Sequence, residues 1–430
     1  MGFSSAGYNF THTKRRGARN GFLGSKIGNQ RGISLLITLL IMSLLLFLSA
    51  LTIMYVSTNL RYSGAYKSSR KAFQVAEAGL EEVRARLRST SAHPISDAYP
   101  SSTAWKVYVG TTSRAQEKGY DSSNSSHFRL DSLQSDLDYV VKTVHQTDSS
   151  GNILYWGDTN SDGVFERTTS SGTNTKNIYL VTSYGYADGN TKTLAAEMTR
   201  MPPVNTPAAL YVNAPVTVQG SASISGNDSC GANNLSGIVT SQDVSTVHLN
   251  GNPAITGAGG TTPNIAHNGT ALNLPALVTS LKDSADKQYT VDSANQTASS
   301  SPGPHDGWGT MTPGATSSTP SSCSDHHIIY YKATGTGIHF SGGVSGCGIL
   351  LVDGNLNLTG GFSWHGMIIS TGSIRFTGGG GDNNITGAVL AGGESDTDTV
   401  GGNAHIVYCS SAVNSQLDNM PLRYLSWKEQ

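Results

Sequence analysis

The first 32 residues contain no acidic side chain, and no charged side chain of either sign lies between Arg31 and Arg61. The first absence leaves Lys14, Arg15, Arg16, Arg19, Lys26 and Arg31 as a uniformly positive leader. The positive-inside bias holds such a leader in the cytoplasm and sends the C-terminal bulk across the membrane. The second absence excludes a solvated surface helix for Ile33 to Leu60. Cysteine is also scarce: Cys230, Cys323, Cys347 and Cys409 all lie in the C-terminal half, with no C-x-x-C pair to signal a zinc site. Only 13 % of residues are charged, and no basic patch points to nucleic acid as a partner. No glycine-rich phosphate loop precedes a helix, no G-x-S-x-G elbow occurs, and no histidine pair has the i, i+4 spacing of a metalloprotease helix.

What is present begins with ISLLITLLIMSLLLFLSALTIMYVSTNL, Ile33 to Leu60. At about 1.5 Å per residue it makes a helix of roughly 42 Å, enough to cross a hydrocarbon core of about 30 Å. A cleaved secretory signal is the competing reading, but its apolar core runs to roughly 7 to 15 residues, well short of this stretch. Helical patterning continues beyond Leu60. Phe73, Ala76, Leu80, Val83 and Leu87 step by three and four and lay one apolar stripe along a helix. Glu82 to Arg86 and Glu81 to Arg84 are pairs that favour a solvated helix face.

A short basic leader, Gln30-Arg31-Gly32 at the junction, an uninterrupted apolar helix and then AFQVAEAGLEEVRARL (Ala72 to Leu87) resemble type IV pilin-like proteins of the PilX type. The resemblance covers roughly Gln30 to Arg88, and Ala72 to Leu87 is its most specific part. It implies cleavage by a prepilin peptidase after Gly32, with Ile33 as the new N-terminus, and a small antiparallel head after the helix. It implies as partners the inner membrane, that peptidase, and other major and minor pilins. Before assembly the chain would be single-pass in the inner membrane, and afterwards part of a periplasmic or extracellular pilus or of the cell surface. Major pilins carry a glutamate at the fifth mature position, where this chain has Ile37. An ionised carboxylate in lipid is costly unless paired, so its absence favours a minor subunit. A minor pseudopilin of a type II secretion system is the alternative in the same class.

The fold class expected is α+β and all-β: a long N-terminal transmembrane and amphipathic helix, a small pilin-like antiparallel head, and a C-terminal parallel β-helix or solenoid. The divisions fall at 1–32 (leader), 33–92 (helix, with 33–60 in the membrane), 93–200 (head), 201–207 (proline-rich linker MPPVNTP) and 208–430 (solenoid). Fifty glycines suit such a turn-rich module. In the head, DYVVKTV, NILYW, NIYLVTSYGYA and TKTLAAEMTR read as strands, with a hairpin turn at Ala187-Asp188-Gly189-Asn190. Beyond the linker, VTVQG, VHLNG, IHFSG, LNLTG and IRFTG repeat one pattern, and Gly348-Ile-Leu-Leu, Gly366-Met-Ile-Ile and Gly387-Ala-Val-Leu align. A single such coil cannot cover its own apolar side, so coils must stack. An insertion at 257–325 interrupts them, with a helix after Pro275 and a low-complexity surface loop.

Asp158, Asn160 and Asp162 alternate before Gly163, the opening of a calcium loop, and Glu166 could serve from the ninth position. The twelfth position is Thr169 where a bidentate glutamate belongs, and the same residues make ordinary turns. An even cysteine count in an exported chain suggests two disulfides, with three connectivities open. β-Helices also host carbohydrate enzymes, so a membrane-anchored polysaccharide-binding or -cleaving protein is the alternative from another class. The acids Glu394, Asp396 and Asp398 read as a solvated turn, and no pair of carboxylates marks a glycosidase face. No enzyme activity is expected, and the partners outside the assembly would be a tip adhesin or a surface glycan.

Overall fold

The computed structural model describes residues 31–87, 93–160, 162–291, 295–297, 303–314, 319–377, 383–393, 397–418 and 422–430. The leader up to residue 30, Gly378, Glu394 and Asp396 lie outside these. The described chain divides into two units, up to Lys67 and from Ser68 onward. The first holds the start of one helix, Arg31–Arg86. Straight-chain and branched apolar residues without an interior proline sustain it.

In the second unit, the last part of that helix lies on a mostly antiparallel sheet, in which His127–Leu130 pairs parallel with Lys106–Val109 where an all-antiparallel head was expected. Strands Tyr139–His145, Thr175–Ala187 and Asn190–Thr199 form its middle, and Lys106–Val109 pairs with Tyr139–His145. The hairpin turn falls where the sequence puts it, with positive φ at Asp188 and Gly189. Ala72, Val75, Ala76, Leu80, Val83 and Leu87 are buried against this sheet. Backbone meets backbone there: a Cβ on Gly185 would collide with the Ala72 carbonyl oxygen and the Ala76 amide, and one on Gly79 would meet Ser183 Oγ. Gly79 and Gly185 are thus kept small by contact distance. Glu82 and Arg86 do not form the solvated pair expected; both are buried, 2.7 Å apart. Glu82 also accepts from Leu133 N and the Tyr139 hydroxyl, which satisfies the charge where water is excluded.

The rest is a β-rich body of two parallel sheets, of eleven and seven strands. The chain alternates between them. Ser345–Asp353, Ser363–Ser370 and Asn383–Ala391 lie in the larger sheet, with Gly348, Gly366 and Gly387 in register. Leu356–Thr359 and Ile374–Thr377 lie in the smaller one, with Asn357 opposite Arg375. The smaller sheet alternates buried Leu356, Leu358, Ile374 and Phe376 with residues facing water. The larger is buried on both faces, because helices Leu274–Lys282 and Ser410–Asp418 pack on its strands. That explains continuous apolar runs such as GILLV and GMII.

Stacking order differs from chain order. Ala208–Val212 pairs on one side with Ser236–Thr240 and on the other with Asn383–Ala391. The chain therefore enters mid-stack, builds outward, crosses by the Leu274–Lys282 helix to the far end at Lys287–Val291, and stacks back. The expected insertion at 257–325 is accordingly a crossing that also supplies Ile265–His267 and Lys287–Val291 to the sheet. Its low-complexity part is anchored: Trp308 is buried against Tyr331, Phe340 and Trp364. Asp398 is no solvated acid either, being buried with Oδ1 accepting from Ile374 N at 2.6 Å. The last strand, Arg423–Glu429, leaves the stack and pairs antiparallel with Asn190–Thr199 of the head. So 208–430 is not one module: its parallel sheets are inserted between Asn190–Thr199 and Arg423–Glu429, two neighbouring strands of the head sheet. MPPVNTP, expected as a stiff connector, is packed, with Met201 and Val204 buried.

Gly185→Val has to push the helix off the sheet and is expected to cost about 3 kcal/mol or more. Gly172→Ala, with nothing within 4 Å of the added carbon, should stay within about 0.5 kcal/mol of wild type. Thermal unfolding of the detergent-solubilised chain measures both, and equal midpoints for the two would contradict this packing.

Candidate functional site

Among the described residues the first part of the Arg31–Arg86 helix carries a long run of exposed large apolar side chains. Leu46 is 70 % exposed, Phe47 62 % and Ile53 70 %, with neighbours on every side of the helix similarly open. By length and composition it can cross a membrane. Five of its hydroxyls are satisfied locally. The hydroxyls of Thr38, Ser43, Ser49, Thr52 and Thr58 each donate to a main-chain carbonyl three or four residues back. A helix that satisfies its own hydroxyls needs no water along its length. Gly32 and Ile33 stand in the first turn, and Ile37 is half exposed, as an uncharged residue can be in lipid.

Where the helix meets the head, the terminal strand clasps it. Tyr424 donates to Glu81 Oε1 at 2.7 Å, Arg84 lies 5.0 Å from the Tyr424 ring, and Trp427 meets Phe73 edge-on. Burial, and then the bond to Glu81, raise the Tyr424 phenol above its usual range. Nothing local in RYLSWKE says which sheet it joins; its aromatic spacing was the available signal.

Asp158, Asn160 and Asp162 lie in the turn between strands Tyr155–Gly157 and Glu166–Thr168, and Glu166 opens the second strand opposite Gly157. Asp158 is buried, and its two oxygens accept from Asp162 N and Gly163 N at 3.1 and 2.8 Å. Asp162 Oδ1 accepts from Val164 N, Asn160 Nδ2 donates to Asp162 Oδ2, and Glu166 Oε1 takes Thr159 Oγ1 at 3.5 Å. The oxygens a cation would use thus also hold the turn's amides. The turn docks on the body through Asn273 N, which donates to the Asp162 carbonyl. Among the described residues no group of three or more His, Cys, Asp or Glu is placed to hold a metal.

The cysteines form two bonded pairs. Cys230 joins Cys409 with Cα atoms 5.0 Å apart, and Cys323 joins Cys347 at 6.2 Å. The first bridges the seam where the earliest coil, through Ser223–Ser225, pairs with the latest, through Ala404–Val407. Burial, and then the adjacent His326, push the His365 imidazole down to about 4, so this ring is neutral near pH 7.

Asp158→Ala leaves the Gly163 amide without its acceptor and the Asp162 amide with Asn160 Oδ1 alone, and is expected to lower stability by about 2 kcal/mol. Urea unfolding at fixed pH checks it, and an unchanged midpoint would mean that those amides find water instead.

No family model and no curated protein matches the chain. Among solved structures, the competence-associated pilin ComZ from Thermus thermophilus matches at 11 % identity, over 84 % of this chain and 97 % of that one, with a TM-score of 0.21. A superposition at that level carries no argument about this chain.

Proposed function

We propose that the chain is a non-enzymatic minor pilin, of the PilX kind, that enters a type IV pilus-like filament by its N-terminal helix. The observation that carries this reading is the Arg31–Arg86 helix, whose apolar start is exposed among the described residues while its end is fixed on a mostly antiparallel head. Lipid suits that surface first, and the like helices of other pilins suit it later. Prepilin peptidase would cut after Gly32 and free Ile33, and the uncharged Ile37 would spare the waiting subunit a buried carboxylate.

The β-rich body is, on this reading, a parallel β-solenoid displayed at the tip or surface. Alternation of the chain between two in-register parallel sheets supports it. Its solvated face carries His339, Asn357, Arg375 and Thr399, a polar ladder suited to a surface glycan or a tip adhesin. A type II secretion pseudopilin would share the helix and the missing acid.

Sheared filaments should contain the wild-type chain. Gly32→Val should remain in the membrane fraction with its leader attached, reducing recovery in filaments by at least about tenfold. Recovery of the variant in filaments at the wild-type level would overturn the assignment.

A further inference from the structure

Successive coils of the seven-stranded sheet place equivalent polar residues along one groove of about 410 Å³. Leu356–Thr359, Ile374–Thr377 and Asp398–Val400 lie side by side in parallel register. Each gives the groove two residues at the same offset: Asn355 and Asn357, Ser373 and Arg375, Thr397 and Thr399. Asn357, Arg375 and Thr399 are direct register partners across the three strands. With strands about 4.8 Å apart, the pattern repeats over roughly 10 Å along the stack. A groove whose lining repeats from coil to coil suits a ligand that is itself a chain of repeating units.

Its chemistry narrows the class of that chain. Amides and hydroxyls both donate and accept, which matches the hydroxyls of a sugar ring. An extended peptide adds to a sheet at an edge, and these strands are paired on both sides. Nucleic-acid bases stack on aromatic rings, and none lines this groove among the described residues. Arg375 is exposed, and no ion pair or hydrogen bond engages its guanidinium among the described residues. That planar fork matches a carboxylate through two parallel hydrogen bonds. Asn357 engages only its Oδ1, which accepts from Thr377 Oγ1 at 3.4 Å.

We propose that this groove binds a polysaccharide carrying carboxylates at intervals, with one carboxylate on Arg375 and the flanking sugar hydroxyls on Asn357 and Thr399. The inference rests on the reading of the solvated face as a display surface and names the class of glycan it takes. Arg375 is the groove's one cation, so a polymer with an acid on every unit would set further anions against asparagine, serine and threonine with nothing to neutralise them. The whole chain opposes such a polymer too: once its six basic leader residues are removed, acidic residues outnumber basic ones. A neutral glycan would meet the amides and hydroxyls but leave Arg375 unused.

Binding of the full chain in detergent is measured by biolayer interferometry on immobilised fragments of gellan and xanthan, whose uronates recur once per repeat unit. The same fragments after chemical reduction of their carboxyls, polygalacturonate and double-stranded DNA are run beside them. Wild type should bind gellan or xanthan, and should lose at least about tenfold in affinity on the carboxyl-reduced polymer. Arg375→Gln should lose as much on the native polymer, and Asn357→Asp, which sets a carboxylate beside Arg375, should weaken binding likewise; both should keep the wild-type thermal midpoint. Failure to bind either polymer, equal binding by wild type and Arg375→Gln, or tighter binding of polygalacturonate or DNA would overturn the site. Filament recovery is scored separately. Wild type that binds gellan yet is missing from sheared filaments would contradict the pilin reading and leave the groove standing, whereas wild type in filaments that ignores both polymers would contradict the groove alone.

Discussion

An apolar helix surface that its own chain does not cover cannot rest in water. Some twenty large side chains between Ile33 and Leu60 stand about half or more exposed. At about 1.5 to 3 kcal/mol for each side chain brought out of water, their burial is worth tens of kcal/mol, several times the net stability of a domain. No arrangement of head or body competes with a term of that size. Lipid or a bundle of similar helices must supply the cover.

The head holds its part of the helix by close approach. Ala72 and Ala76 face Gly185 with main chain against main chain, so that contact tolerates no added carbon, and Gly79 lies against the side chains of Ser183 and Val141. The body meets a different requirement, since it is inserted in the head sheet and must begin and end near the same place. Starting mid-stack and returning to mid-stack meets it. Val389–Ala391 of a late coil lies beside Leu210–Val212 of the first, and Cys230–Cys409 closes that seam. The terminal strand is then within reach of Asn190–Thr199.

Much of this was legible where one local period governs. The three-and-four stepping from Phe73 to Leu87 marks the packed stripe, the turn at Asp188-Gly189 is a local preference, and the aligned glycines Gly348, Gly366 and Gly387 prove to be in register. What stayed hidden depends on contacts distant in sequence. Glu82 and Arg86 have the spacing of a surface pair, and only Leu133 and Tyr139 make them a buried one. Asp398 reads as one of three acids in a turn until Ile374 N is placed against it. Stacking order is hidden likewise, because the repeated strands share one pattern and nothing in the pattern orders them. Of the candidate site residues, those of the Asp158 turn were found by spacing, whereas the cysteine pairing needed the fold.

The mature N-terminus, read by mass spectrometry of the chain recovered from cells, tests the central claim most directly. A chain beginning at Ile33, with the leader removed and the apolar helix retained, is the predicted result. A chain that keeps Met1, or one cut within the helix near Ala50, would contradict it.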